Sequence, residues 1–309
     1  MTILNFNWRS PYLYLMLVPF LWSTNFVLGK IVVNTIPPLT MSTARFTIGV
    51  LILSGIMAKS KSPEQGSWQK AFIPLLIMGI SGVFGFNSLL YAGLRYTSST
   101  NSSIINSLYP VLAALLAAFF LKERFNARQL IGLFFSIAGV LLVTSRGAWS
   151  GLSGIVFNQG DLLVILASLS WAIYSLASKL AMKHLSALQA STYSIYLGLL
   201  FLYPASIYEL SMGAHVTLSW SAFLALIYLG IVPTAITYIL WNKGIQAVGP
   251  TKAGYFYNLL PIYTAILAAV FLDESISWYH LAGGLLVLSG VYLGSVVVRN
   301  QTEFLRPST

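Results

Sequence analysis

The sequence predicts an all-α polytopic membrane protein of ten transmembrane helices, arranged as two inverted five-helix repeats over residues 1–149 and 150–309. Three observations predict it. The composition is that of a chain solvated by lipid, with 57% hydrophobic residues, 8% charged residues and a mean hydropathy of +0.79, whereas water-soluble domains are about 25% charged. Ten apolar runs of about 20 residues succeed one another, each of the length that crosses about 30 Å of hydrocarbon. One stretch also occurs twice. Leu108-Tyr-Pro-Val-Leu-Ala-Ala-Leu-Leu-Ala-Ala-Phe-Phe-Leu-Lys-Glu123 returns 151 residues later as Leu259 to Glu274, and 12 of 32 positions match between 108–139 and 259–290.

Residues 1–10 are a short polar lead carrying Arg9. The run from Tyr12 to about Val33 lacks the basic leader and small-residue cleavage site of a signal peptide, so it is read as a retained span. Four more spans follow at roughly 39–58, 71–94, 98–121 and 127–145, and five at 161–182, 188–209, 219–242, 251–272 and 279–298. Turn chemistry separates them at Ile36-Pro-Pro38, Lys59 to Glu64, Lys122-Glu-Arg124 and Val248-Gly-Pro250. The Gly/Ser-rich stretch Arg146 to Gly154 divides the halves.

Charge sets the orientation. With the N-terminus in the cytoplasm, that side collects thirteen lysines and arginines while the other keeps Lys30, Arg95 and Arg146, so both termini are expected inside. Five spans per half is odd, so the second half inserts upside down, and the repeated turn is re-charged to suit: basic at Lys122 and Arg124, acidic at Asp273 and Glu274. The net charge of +10 is therefore read as membrane topology, with the lipid bilayer as partner and no nucleic acid. The chain has no cysteine, hence no disulfide or thiolate metal site, and no cofactor is implied.

Two inverted halves have two near-equivalent arrangements, one open to each side, which is the geometry of alternating access to a midplane site. Pro110 and Pro261 occupy matching mid-helix positions, and each removes a backbone donor and displaces the carbonyl four residues earlier, those of Asn106 and Tyr257. Freed carbonyls in hydrocarbon need partners or a wet cavity. Asn106, Ser107 and Tyr109 in the fourth span, and Tyr255, Tyr257 and Asn258 in the ninth, suit such a cavity; the plainer reading is two bent helices that only pack. Spans one and six share a tryptophan and a lysine, Trp22 with Lys30 and Trp171 with Lys179. Trp22 with Asn25, and Trp171 with Tyr174 and Ser175, extend the wall, while the lysines either snorkel to opposite surfaces or face the ligand. Spans three and eight add Phe84, Asn87 and Tyr91, then Tyr238, Trp241 and Asn242 in corresponding places.

Arg45 is the only ionisable side chain well inside a span. It is either a functional intramembrane charge or, two turns from its helix end, within reach of the interface. Every carboxylate falls at a helix end or in a loop, so no intramembrane acid is available for proton antiport, and facilitated diffusion or exchange fits better. Gly132, Gly139, Gly283, Gly284, Gly290 and Gly294 form small-residue seams in spans five and ten, for use within a monomer or in a homodimer. Gly82 and Gly85, in the Gly79–Gly85 stretch of span three, are read with Pro110 and Pro261 as flexing points. The chain has no HExxH, GxSxG, P-loop, paired acids or intramembrane histidine, which removes the parts for hydrolytic, metal-dependent or ATP-driven chemistry.

Two five-helix copies, an early Trp22-Ser-Thr-Asn-Phe-Val-Leu-Gly-Lys30, the following Pro37-Pro-Leu-Thr-Met-Ser-Thr-Ala-Arg-Phe46, and the helix ends at Leu-Lys-Glu-Arg124 and Leu-Asp-Glu274 resemble the EamA family of the drug/metabolite transporter superfamily, over about residues 12–298. The resemblance implies a ten-helix bacterial inner-membrane transporter with helices one, three, four, six, eight and nine around a central cavity and helices five and ten at its ends. It implies export of amino acids or related metabolites; uptake of a nucleotide-like solute and drug efflux stay as alternatives. Arg45 sits at the family's common helix-two arginine position. Small multidrug relatives resemble one half and use a helix-one glutamate, where this chain has Trp22, Ser23, Thr24 and Asn25.

Overall fold

The structure, a computed structural model, describes residues 11–59, 67–121, 127–147, 158–248 and 250–295. Among these residues the regular structure is helical throughout. The first half comprises α1 (Pro11–Val32), α2 (Pro38–Lys59), a rod of α3 (Trp68–Met78), a π-helical segment π1 (Gly79–Phe86) and α4 (Asn87–Leu94), then α5 (Ser99–Asn106), α6 (Tyr109–Leu121) and α7 (Ala127–Thr144). The second comprises α8 (Gln159–Ala181), α9 (Ala187–Ser211), a rod of α10 (Trp220–Gly230), π2 (Ile231–Ile236) and α11 (Thr237–Val248), then α12 (Pro250–Tyr257), α13 (Leu260–Leu272) and α14 (Trp278–Ser295). The turn at 122–124, the 60–66 loop and the 148–154 linker lie outside the described residues.

Among the described residues, six helices are long and apolar enough to cross a membrane: α1, α2, Trp68–Leu94, α8, α9 and Trp220–Val248, with shorter apolar helices beside them. Polarity runs inside out, as lipid demands. Leu51, Ile73, Leu200 and Ile207 face outward, whereas Asn25, Arg45, Asn87, Asn106 and Asn242 are buried. With no water outside the bundle to satisfy them, these polar groups must find partners within it.

The two proline-bearing spans differ from their sequence reading. Residues 98–121 and 251–272 read as single helices with interior prolines; each is instead two helices, broken between Asn106 and Tyr109 and between Tyr257 and Leu260. Tight bonds carry the chain across, Leu108 N to Ile105 O at 3.0 Å and Leu259 N to Phe256 O at 3.1 Å. Pro110 and Pro261 thus fall in the first turn of α6 and α13, where a helix needs no donor from them. A clean break avoids the clash that an interior proline would force.

Helices α7 and α14 pack along each other on a glycine seam within the chain. A Cβ on Gly139 would lie 2.6 Å from Gly283 O, and one on Gly290 would lie 2.4 Å from Gly132 O. Gly132 corresponds to Gly283 and Gly139 to Gly290 in the sequence repeat, so the contact is reciprocal, like that of a two-fold dimer. A second reciprocal pair links the third rod of each half to the second helix of the other: Gly79 abuts Gly198, and Gly49 abuts Gly230. Gly139→Ala is expected to wedge α7 off α14 at a cost of about 1–3 kcal/mol, lowering the melting temperature in detergent. Gly284→Ala, where a Cβ meets nothing within 4 Å, is the neutral control.

Candidate substrate site

Three tryptophans meet where the halves face each other. Trp22 of α1 stands edge-on to Trp171 of α8 at 5.3 Å between ring centroids and lies 5.1 Å from Trp241 of α11. Tyr257 adds a ring 5.7 Å from Trp22, with Tyr109 at 4.9 Å from Tyr257. On the other flank Trp171 stacks on Tyr174 at 4.5 Å and 9°, and Phe86 packs on it at 5.0 Å. Apart from the stacked Trp171–Tyr174 pair, the rings meet tilted or edge-on, which suits rings with negative faces and positive edges.

Amides and phenols tie the rings together. Asn25 Oδ1 accepts from Tyr91 Oη at 2.5 Å in the first half. The corresponding positions in the second half hold Tyr174 and Asn242, whose amide donates to Tyr174 Oη at 3.0 Å. The repeat keeps the bond and exchanges its partners. Asn242 is completed by Ser178 at 2.9 Å and Ser191 at 2.8 Å. Asn106 donates to Tyr257 Oη at 2.5 Å and accepts from Ser168 at 2.8 Å. Asn106 and Tyr257 are 151 positions apart, as are Asn87 and Tyr238 at 3.5 Å.

The π segments explain further contacts. Each π turn misaligns the backbone ladder and frees carbonyls. Gly82 O and Val83 O are taken by Asn87 Nδ2 at 2.7 and 3.2 Å, and Pro233 O, at the position matching Gly82, is taken by Trp22 Nε1 at 3.3 Å and Thr237 Oγ1 at 2.6 Å.

Arg45 is 2% exposed and does not reach the interface. Its guanidinium donates to Asn25 Oδ1 and Tyr91 Oη, and its centre lies 4.7 Å from the Phe46 ring. The side chain points inward to these partners, while Gly230 of α10 packs against the Arg45 carbonyl and the Ile48 side chain of α2.

Trp22, Asn25, Phe26, Arg45, Phe86, Asn87, Trp171, Tyr238 and Tyr257 enclose a cavity that leaves about 10 Å³ open to the centre of a water molecule, room for about one water. Buried polar atoms of this region without a partner among the described residues include Arg45 Nε, Asn87 Oδ1, Trp171 Nε1 and Trp241 Nε1. The sequence candidates Tyr91, Asn106, Tyr109, Tyr174, Ser175, Trp241 and Asn242 are buried around this cavity's walls or in the ring cluster behind them. Phe84 is placed elsewhere, half-buried against Phe201 of α9 at 6.2 Å, and Phe86 lines the cavity in its stead. The wide π1 turn rotates the helix face by part of a turn, which α-helical spacing cannot anticipate. Asn258 is half-buried just past the α12 break, with Oδ1 unpartnered. The side chain of Tyr255 lies outside the described residues.

Acids gather at one end of the bundle. Glu209 of α9 accepts from Leu39 N at 3.1 Å, Thr40 N at 2.8 Å and Thr40 Oγ1 at 2.9 Å, capping α2. Glu274 caps α5 in the same way, through Ser99 N at 2.8 Å, Thr100 N at 3.0 Å and Thr100 Oγ1 at 2.7 Å. Asp161 lies in the first turn of α8, at the helix end its sequence position suggests, where it is buried and accepts from Thr97 at 2.5 Å. Lys30 neither snorkels freely nor faces the cavity: its ammonium donates to the carbonyls of Leu94 and Thr97 at 2.5 and 2.8 Å, closing the end of α4, while Lys179 is exposed. His280 is buried beside them, with Nδ1 accepting from Ser277 N and Nε2 bonded to Asn101 Oδ1, both at 2.9 Å.

A model of the EamA-like transporter family matches residues 9–145 and again residues 158–296. The uncharacterized transporter YyaM of Bacillus subtilis is 29% identical over 289 residues, covering 93% of this chain and 94% of its own. A probable amino-acid metabolite efflux pump of Salmonella typhimurium is 25% identical over 287 residues, covering 90% and 92%. One solved crystal structure shares the fold with a TM-score of 0.67 at 22% identity, over 94% of this chain and 98% of the other.

Proposed function

Because the chain belongs to the EamA-like transporter family, we propose that it moves amino acids or related small metabolites across a bacterial inner membrane by alternating access, as an exporter or exchanger. Membership makes it a multi-pass membrane transporter and points away from an enzyme. The observation that carries the finer reading is the closed aromatic and amide cage between the two family-matched halves, with room for about one water. A site of that kind, walled by rings and lined by a few fixed polar groups, has the make-up of a small-molecule pocket in its contracted form.

The reciprocal glycine contacts, the exchanged Asn–Tyr pair and the meeting of residues 151 apart support ten spans in two inverted halves about an axis in the membrane plane. The excess of basic residues in one set of loops supports cytoplasmic termini. Relatives named as probable amino-acid metabolite efflux pumps support the substrate class.

The test is flux. Purified protein in liposomes, loaded with unlabelled amino acids, is expected to accumulate labelled amino acid from outside by exchange, without ATP. If a broad panel of amino acids and other small metabolites all fail to move, the reading falls.

A further inference from the structure

We infer that the cavity selects a zwitterion, its carboxylate held by Arg45 and Trp171 and its ammonium by Asn87; this rests on the transport reading above. Charge gives the first reason. A guanidinium stays protonated in any protein environment, and a buried cation without a counter-charge is costly unless something completes it. The four described carboxylates do not: Asp161, Glu209 and Glu274 serve the helix caps and Thr97 at one end of the bundle, and Asp273 is exposed. An anionic group brought by the substrate supplies the counter-charge that the described residues do not.

A structural staple is the plainer role for Arg45, tying α1, α2 and α4 through Asn25 and Tyr91. The second half argues against it. There the matching Tyr174–Asn242 bond forms with Ser194 at the position of Arg45, so the fold holds this pair together without a cation. Arg45 is an asymmetry that the repeat does not need.

The unpartnered atoms give the second reason. Of the residues lining the cavity, Arg45 Nε–H and Trp171 Nε1–H are donors without acceptors, and Asn87 Oδ1 is an acceptor without a donor. The Asn87 assignment is fixed by its surroundings, since its amide nitrogen faces the carbonyls of Gly82 and Val83 and a flipped oxygen would face them instead. Two donors and one acceptor around a buried cation complement a carboxylate and an ammonium. Buried groups left unpaired are what make such a site reject an analogue that lacks the matching group. Tyr238, Trp22 and Tyr257 also line the cavity, aromatic residues of the kind that attract an ammonium. The space for about one water means that the zwitterion enters only when the aromatic walls part.

The experiment uses the full chain in proteoliposomes with labelled phenylalanine, leucine and threonine. Each is competed with itself, with the amine that lacks its carboxylate, and with the acid that lacks its ammonium. Removing the carboxylate is expected to weaken competition by about 100-fold or more, and removing the ammonium by about 10-fold. Arg45→Met is expected to lose the discrimination between amino acid and amine while keeping its elution profile and melting. Trp171→Phe keeps a ring and removes the donor, so it serves if Arg45→Met fails to fold; it is expected to raise the KM for the amino acid relative to that for the amine. Amines that compete as well as amino acids overturn the inference and leave transport standing. Acids lacking the ammonium that compete equally well overturn the zwitterion in favour of a plain anion site. If none of the probes moves or competes, the amino-acid transport reading falls with it.

Discussion

Gly82→Val is expected to reduce flux to the background of empty liposomes, and Gly82→Ala to lower it by about tenfold or more. A Cβ at this position would lie 2.1 Å from Tyr174 Cδ2, 2.6 Å from Cγ and 2.9 Å from its Cβ, so the obstacle is the root of the side chain and not a movable tip. Tyr174 has nowhere to go. Its ring is stacked 4.5 Å from Trp171, and its hydroxyl is bonded to Asn242. Relief must come from pushing π1 away from α8, which drags on Asn87 through its bonds to Gly82 and Val83 and unseats a cavity wall. Overpacking costs about 1–3 kcal/mol, which a stable bundle survives, so the expected signature is lost exchange with a modest fall in melting temperature. Wild-type exchange by Gly82→Val would show that the close seat of π1 on α8 is not needed for transport.

The residues that meet at the centre were legible in the sequence because of the repeat. The repeat marked Asn106 and Tyr257, and Asn87 and Tyr238, as equivalent positions 151 residues apart, and each pair meets in the structure. The prolines were legible as disruptions but not as breaks, since a sequence does not say whether Pro110 bends one helix or starts a second. The π segments left no periodic signal, and Phe84 was therefore read for the cavity wall where Phe86 stands. Arg45 was ambiguous because its distance from the helix end says nothing of the direction its side chain takes, here inward to Asn25 and Tyr91. The acids were least legible of all: Glu209 and Glu274 have the spacing of loop-end charges, and only the tertiary fold places them on the amides of Thr40 and Thr100.

Those two caps join opposite halves, which gives them a consequence beyond local stability. Glu209 and Glu274 belong to the second half, α2 and α5 to the first, and both caps lie at the end of the bundle where Lys30 closes α4. On the proposed alternating-access reading, opening that end would take both carboxylates off paired backbone donors and a threonine hydroxyl. A lost cap costs about 0.5–2 kcal/mol, and a carboxylate at a helix N-terminus adds up to about 2 kcal/mol in partly buried sites. Removing one acid is therefore expected to favour the open arrangement by about 2 kcal/mol, roughly 30-fold, and the pair together by roughly a thousandfold. The cysteine-free chain makes this measurable. Ser102→Cys is nearly isosteric and fully buried on α5, so its labelling by a membrane-impermeant maleimide reports opening. Glu274→Ala and Glu209→Ala are each expected to speed labelling, Glu274→Gln by less because one acceptor oxygen remains, and the double variant most. Unchanged labelling with a lowered melting temperature would reduce both acids to helix caps that play no part in gating.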